Sequence, residues 1–371
     1  MNDNKLVYKK IKRKIIKFIK PLEHNMRIPS RIALAKEYGV TRTTIERALS
    51  ELIGEGCIYA KVGSGTYVSD LSKKENIKLN NSKKWGVIIP NIMYDTYPEI
   101  LRGVEDVASD NKINTFVCNT DNNPQKQKRY INNLINSDVN GIIIVPSIIE
   151  DGDNRIFFKL QDKAIPFIAC NRSISGIQSP KVVSNNFYGG FLATKHLLEQ
   201  GYERIAFIAN IYYSISVERY QGYIAALSEA GIEVNEEYVI FKEYSSSLID
   251  LNQAKKIGYE NVNKLLNLPN KPDAFFCIDD TVAQGAYYAI TEKGFHPGRD
   301  IGLVGYNNNS DICKSLPGRL TSVDFNSYKV GNQAAKLILN IIHGEKVKKN
   351  ITIVIQPELK IGNSSKKISI S

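Results

Sequence analysis

At 371 residues, 43% of them hydrophobic and 23% charged, the chain is too long for one core and too apolar for disorder, so two or three packing units are expected. Its longest apolar runs, such as Gly141 to Pro146, are strand-sized, and the lysine-rich start through Lys20 lacks the unbroken apolar stretch of a signal peptide, so a soluble, cytoplasmic protein is expected rather than a membrane-spanning or exported one. The net charge of +11 is carried entirely by residues 1–84, with 19 Lys and Arg against 8 Asp and Glu, while the rest of the chain balances; this is the electrostatic footprint of a nucleic-acid-binding module joined to a neutral one.

From Val7 to Ile19 the apolar residues Val7, Ile11, Ile15, Phe18 and Ile19 keep helical spacing, and Pro21 ends the run. Pro29 and Ser30 announce a second helix through Leu34 to Tyr38, stopped by Gly39. Thr41 caps a third, Arg42 to Ile53, closed by Gly56; Cys57 to Val68 then alternates as a hairpin around Gly63-Ser64-Gly65. Residues 71–84, LSKKENIKLNNSKK, are polar and aperiodic and read as a linker.

Beyond the linker the pattern changes. Strands are expected near Trp85 to Ile89, Asn114 to Cys118, Gly141 to Val145, Pro166 to Ala169, Arg204 to Ala209, Ala274 to Ile278 and Ile301 to Gly305. Helices alternate with them at Pro98 to Asp110, Gln125 to Asn136, Tyr188 to Gln200, Val217 to Ala230 and Thr281 to Lys293. Such alternation indicates βαβ units in two parallel sheets. The five cysteines, Cys57, Cys118, Cys170, Cys277 and Cys313, are odd in number, far apart and mostly set in strand-like runs, so they read as reduced, buried thiols.

A cap and turn followed by a helix rich in Arg and Thr suits the major groove, and the candidates are Thr41, Arg42, Thr43, Thr44 and Arg47. Leu34, Val40, Ile45, Leu49 and Leu52 fall on the opposite side as a small core. A Gly-flanked hairpin tip with Lys61 beside it can approach a backbone or the minor groove. Through IPSRIALAKEYGVTRTTIERAL and GSGTYV, residues 7–69 resemble the GntR family of winged helix-turn-helix regulators. The resemblance implies that Arg42, Thr44 and Arg47 contact groove and phosphates, that Gly63 and Gly65 form the wing tip, and that Tyr8 touches the DNA backbone. Arg31 stands where the family usually has an acidic residue, adding a phosphate contact. Glu46 replaces a basic one and is placed to accept from a cytosine amino group.

In open α/β sheets ligands bind at the loops after the strands. Those loops hold Tyr94, Tyr97, Asp121, Ser147 and Arg172 in the first half and Asn186, Tyr213, Arg219, Asp279, Asp280 and Asn307 in the second. Aromatic faces cover the apolar side of a sugar ring while Arg, Asp and Asn fix hydroxyl stereochemistry, so the set suits a small polyhydroxylated ligand. The alternative reading of Tyr94 and Tyr97 is as covers for the sheet edge, and of Asp280 as a plain helix cap. At IIPNIMYDTYPEILRGVE, SNNFYGGFLATKHLLEQGYERIAFIA, ERYQGYIAAL, IDDTVAQGAYYAI and IGLVGYNNN, residues 84–362 resemble the LacI-type effector domain, a relative of periplasmic sugar-binding proteins. NTDNNPQKQKRYINNLI, together with the GntR-like head, resembles the arabinose repressor subfamily. The resemblance implies that Arg172, Asn186, Arg219, Asp279 and Asn307 hold the effector. The family has Asn then Asp at the last two positions; here Asp279 and Asn307 reverse them and are expected to face one ligand across the cleft. Arg172 departs from the arabinose repressors toward the general LacI pattern and so argues against L-arabinose itself; the expected effector is L-arabinose or a related sugar.

Gly63-Ser64-Gly65 lacks the third glycine of a dinucleotide fingerprint, and no phosphate loop, HExxH or CxxC occurs. His24, His196, His296 and His343 sit in separate elements, so neither a metal nor a cofactor is expected, and no carboxylate pair makes an enzyme's catalytic constellation. The expected fold is α/β, with a winged helix-turn-helix over residues 1–70, a linker over 71–84, and a two-lobed periplasmic-binding-protein-like domain of parallel sheets over 85–371. The lobes divide at about 85–200 and 201–323, with helix Ser327 to His343 returning to the first. Function follows as a homodimeric regulator released from a double-stranded DNA operator by a sugar. The alternatives are a sugar-processing enzyme with a DNA-binding head and a sugar receptor without DNA function.

Overall fold

The structure, a computed structural model, describes residues 3–61, 63–69, 83–93, 96–148, 154–209, 213–241 and 251–366. The chain divides into two compact units, Met1–Ser82 and Lys83–Ser371.

The first unit comprises α1 (Asp3–Ile19), α2 (Arg31–Tyr38), α3 (Arg42–Gly54) and the strands β1 (Ile58–Lys61) and β2 (Gly65–Val68). Ser30 Oγ accepts from Ala33 N–H to start α2, and Gly39, at φ 63°, ends it as only a residue at ease in the left-handed region does. Ile11, Ile15, Leu34, Ile45, Leu49 and Leu52 close a core of their own, with Val68 of the hairpin packed in. That core fixes the angle between α2 and α3 and leaves the start of α3 outside.

The second unit has two sheets. β3 (Lys84–Ile89), β4 (Asn114–Asn119), β5 (Gly141–Ile144), β6 (Phe167–Cys170) and β7 (Lys181–Ser184) alternate with α4 (Thr96–Asp110), α5 (Pro124–Asn136) and α6 (Arg155–Asp162). The chain then crosses at Asn185 into α7 (Asn186–Glu199), β8 (Ile205–Ala209), α8 (Ser214–Glu229), β9 (Val239–Phe241), α9 (Leu251–Leu265), β10 (Ala274–Cys277), α10 (Asp280–Glu292), β11 (Gly302–Tyr306), α11 (Ser310–Ser315) and β12 (Thr321–Asp324). It returns with α12 (Ser327–Ile342) and β13 (Thr352–Ile355) and crosses again to β14 (Glu358–Lys360). Strand order is β13-β7-β6-β5-β3-β4 in lobe 1, all parallel, and β14-β12-β11-β10-β8-β9 in lobe 2, parallel except for β14.

The expected division of the lobes near residue 200 is corrected: lobe 2 begins at Asn186, because α7 packs on α8, β11, β12 and β14. The contact is set by reciprocal glycines. A Cβ at Gly190 would lie 2.0 Å from the Arg219 carbonyl, and one at Gly222 equally close to that of Phe187, so the two helices touch backbone to backbone. α4 with α12 (Gly103, Gly331) and α9 with α10 (Gly258, Gly285) repeat the device. The three crossings are tied together: Asn185 Nδ2 donates to Gln356 Oε1 at 3.2 Å, and Asn326 Nδ2 to the Gln356 carbonyl at 3.0 Å. Short crossing segments of this kind are where hinge motions between two lobes are absorbed in general.

Candidate functional site

In the first unit, Thr41 Oγ1 accepts from Thr44 N–H and lies 2.9 Å from Thr44 Oγ1, so these hydroxyls build the start of α3. Arg31, Arg42, Thr43, Arg47, Lys61 and Gly63 are exposed. Two residues have partners within the head that the sequence reading did not foresee. Tyr8 is buried at 6% exposure, and the Arg47 guanidinium sits 4.2 Å over its ring, so Tyr8 supports Arg47. Glu46, expected to face a base, instead accepts from Arg42 Nε at 3.0 Å one helical turn on, which aims that guanidinium along α3. Lys12 bridges Glu51 and Glu55 at 2.9 and 2.5 Å; these pairs turn the acidic end of α3 to α1 and leave its basic start outward. Arg27 went unmentioned in the sequence reading. It pairs beside Tyr67, and a Cβ on Gly65, at φ 132°, would come within 2.7 Å of its Nε, so the glycine makes room for a further exposed cation at the wing.

In the second unit the loops after the strands meet from both lobes. Arg172, following β6, donates from Nη2 to Tyr97 Oη at 2.6 Å and from Nη1 to the Pro146 carbonyl at 3.0 Å and Asn122 Oδ1 at 3.4 Å. Its guanidinium also lies 5.6 Å over the ring of Tyr213, at the start of α8 in lobe 2, so the two lobes touch here. Burial raises the Tyr97 phenol above its usual range despite the opposing Arg172 charge. Asn122, not Asp121, meets Arg172; the Asp121 carboxylate is bonded to Lys126 and accepts from Asn119 at 2.7 Å. Ser147 is buried, its N–H given to Gln127 Oε1 at 2.7 Å, and so braces the loop beneath the cleft. Tyr94 lies outside the described residues.

On the lobe 2 side, Arg219 is buried at 6% exposure, donates from Nε to Asn186 Oδ1 at 3.2 Å and from Nη1 to the Ile278 carbonyl at 2.6 Å, and lies 3.4 Å over the Tyr306 ring. Asn186 in turn donates to Glu218 Oε2 at 3.1 Å. Neither Arg172 nor Arg219 has a carboxylate within ion-pair distance among the described residues, so both guanidiniums keep hydrogen-bonding capacity directed at neutral oxygens. Arg172 Nε is buried with no hydrogen-bond partner among the described residues. The reciprocal glycines account for this side: by pressing α8 on α7 they bring Arg219 to Asn186. Glu218, Asn122 and Tyr306 escaped the sequence reading, although each stands one or two positions from a residue it named.

Asp279 and Asn307 follow the adjacent parallel strands β10 and β11, so both lie on lobe 2 rather than across the cleft from each other. Asp279, not Asp280, is the helix cap, with Oδ1 accepting from Val282 N–H at 2.8 Å. Asp280 is 1% exposed and takes Ser322 Oγ–H and Asn309 N–H at 2.6 Å each. Burial outweighs these donors and lifts its carboxyl from 3.8 to about 8. The unfolded carboxyl ionises near pH 4 and the folded one near 8, so its contribution to stability is full below about pH 4 and is lost as pH rises through 8. Melting temperatures measured at pH 6 and pH 9 are expected to fall with pH in the wild type and to fall less in Asp280→Asn.

All five cysteines are buried thiols, and none of them forms a disulfide. No group of His, Cys, Asp or Glu among the described residues has a metal-holding arrangement, and no helix there is long and apolar enough to cross a membrane.

Residues 82–360 match the family described as periplasmic binding proteins and sugar binding domain of LacI family, and residues 4–68 match the bacterial regulatory proteins of the gntR family. A relative from Mannheimia succiniciproducens named HTH-type transcriptional repressor PurR is 32% identical over 79% of this chain and 84% of its own. The arabinose metabolism transcriptional repressor of Geobacillus stearothermophilus is 28% identical over 97% of this chain and 98% of its own. The crystal structure of the transcription regulator CcpA of Lactococcus lactis shares the fold with a TM-score of 0.65 at 28% identity, covering 76% of this chain and 99% of that one. The chain therefore belongs to the family of periplasmic binding proteins and LacI-type sugar-binding domains, with a gntR-type head ahead of that domain, and is a DNA-binding transcriptional repressor with a sugar-binding effector domain.

Proposed function

We propose that this protein is a cytoplasmic, homodimeric repressor, without enzymatic activity, that leaves its operator when a small sugar closes the cleft between its lobes. The observation that carries this reading is the meeting of Arg172 from lobe 1 with Tyr213 from lobe 2, together with Arg219, which lies over the Tyr306 ring and donates to the Ile278 carbonyl, the residues next in sequence to Asn307 and Asp279. Guanidiniums, a carboxylate, an amide and aromatic faces are the chemistry that orients hydroxyls. L-Arabinose or a related sugar is the first choice of effector, supported by the name of a relative that covers almost the whole chain. Sugar binding is expected to lower operator affinity by a coupling of about 1–3 kcal/mol. A thermal-shift screen of pentoses, hexoses and their phosphates, followed by operator gel shifts with each hit, tests this; a sugar that binds without changing operator affinity overturns the switch.

On the DNA side we infer that Arg42 and Thr43 read base edges, that Arg31, Arg47 and Lys61 hold phosphates, and that Gly63 and Gly65 let the wing approach the backbone. Arg42→Ala is expected to cost about 1–3 kcal/mol and to relax base preference at one operator position. Competition binding against a set of single-base operator variants measures both, and equal loss for every sequence would make Arg42 a phosphate contact instead.

A further inference from the structure

We infer that Asp280 is a positioning residue for effector recognition: it fixes the turn Asn307-Asn308-Asn309 against the start of α10, and so sets the direction of the Asn307 amide relative to the Asp279 carboxylate. The inference rests on the proposed reading of Asp279 and Asn307 as sugar contacts.

The turn is strained. Asn307 has φ 102° and Asn308 φ 53°, two successive side-chain-bearing residues in the region that favours glycine, and such a conformation persists only where its surroundings over-determine it. Here they do. Asn307 N–H donates to the Val323 carbonyl at 2.8 Å, Asn308 N–H to Ser322 Oγ at 2.9 Å and Asn309 N–H to Asp280 Oδ2 at 2.6 Å. Ser322 Oγ–H passes on to Asp280 Oδ1 at 2.6 Å. Two of the three amides of the turn therefore end on one carboxyl, one directly and one through Ser322. The Cys313 thiol, in α11, lies 3.7 Å from Oδ2. β11 carries Gly305 where a Cβ would come 2.2 Å from Oδ1, so the strand leaves room for this group. Asp280 is also the residue after Asp279, which caps α10. One buried side chain thus couples the two cleft residues. Cap formation belongs to Asp279 and explains none of it, and an apolar side chain would fill the space without leaving the turn amides a partner.

The test uses the full chain with Asp280→Ala, Ser322→Ala, the pair of them, Asp280→Asn and Asp279→Ala, each titrated calorimetrically with L-arabinose, D-xylose and D-ribose and melted in parallel. Asp280→Ala is expected to weaken binding of the preferred sugar about tenfold or more and Ser322→Ala about fivefold, with the pair no weaker than Asp280→Ala alone, because both lie on one relay. Asp280→Asn, which still accepts from Asn309 and reaches Ser322, is expected to stay within about threefold of wild type. A space-filling role would instead lower binding in step with melting temperature and make the pair additive. The inference is overturned if Asp280→Ala, or Ser322→Ala should the former not fold, binds sugar as wild type does while Asp279→Ala loses it. If Asp279→Ala also binds normally, or no sugar binds the wild type, the site reading falls first and the inference with it.

Discussion

Asp279→Ala is expected to weaken sugar binding by about 1.5–3 kcal/mol, the range for removing one charged partner of a buried hydroxyl. Its carboxylate has a second duty, since Oδ1 caps α10 through Val282 N–H, and loss of that cap costs about 0.5–2 kcal/mol of stability. Asp279→Asn separates the two effects, because asparagine caps as well as aspartate but carries no charge. The companion change, Asn307→Asp, places a second carboxylate at the end of the neighbouring strand. Either single change leaves two amides or two carboxylates side by side, so both are expected to bind less well than wild type. The double change restores one of each in the order the family usually shows, and is expected to bind better than either single change. Calorimetric titration of the four proteins with the best sugar from the screen reads the coupling directly, and strict additivity would show that the two residues do not share a ligand.

DNA binding by the separated units should differ completely. The fragment of residues 1–84, which carries the whole +11 excess and has its own core around Leu34, Ile45 and Leu49, is expected to bind duplex DNA with affinity falling steeply as salt rises. The fragment of residues 85–371, with equal numbers of basic and acidic residues, is expected not to bind at all. Chromatography of both on immobilised DNA across a salt gradient is the measurement, and equal retention removes the head from its assigned role. Weakening of the intact chain by Arg42→Ala should be partial by comparison, because phosphate contacts from Arg31, Arg47 and Lys61 remain.

Much of the architecture was readable from the residues in order. Ser30, Gly39 and Thr41 act at helix ends through local hydrogen bonds and a local φ, and these need only neighbours in sequence. The alternation of apolar strands with amphipathic helices likewise reflects burial on two periodicities and led to parallel sheets with loops grouped at their ends. The short strands β7, β9, β12, β13 and β14 went unseen, since three or four residues, several of them polar or only half-buried, carry too little pattern to stand out.

The sequence by itself determined where the charge lies, where the helices of the head and the longer alternating strands and helices behind it fall, and which loop residues follow those strands, because each follows from composition or from spacing along the chain. Only the tertiary structure decided which of those residues meet. It took Tyr8 into the head as a seat for Arg47, turned Asp121 to Lys126 and brought Asn122 to Arg172, and moved α7 into lobe 2 through glycines that are far apart in sequence. Between adjacent aspartates it made Asp279 the cap and buried Asp280 among Ser322 and Asn309. The physical reason is the same throughout: a side chain's partner is set by packing between elements distant in the chain, and two neighbouring residues of one type acquire different chemistry when the fold places one at a surface and the other in a core.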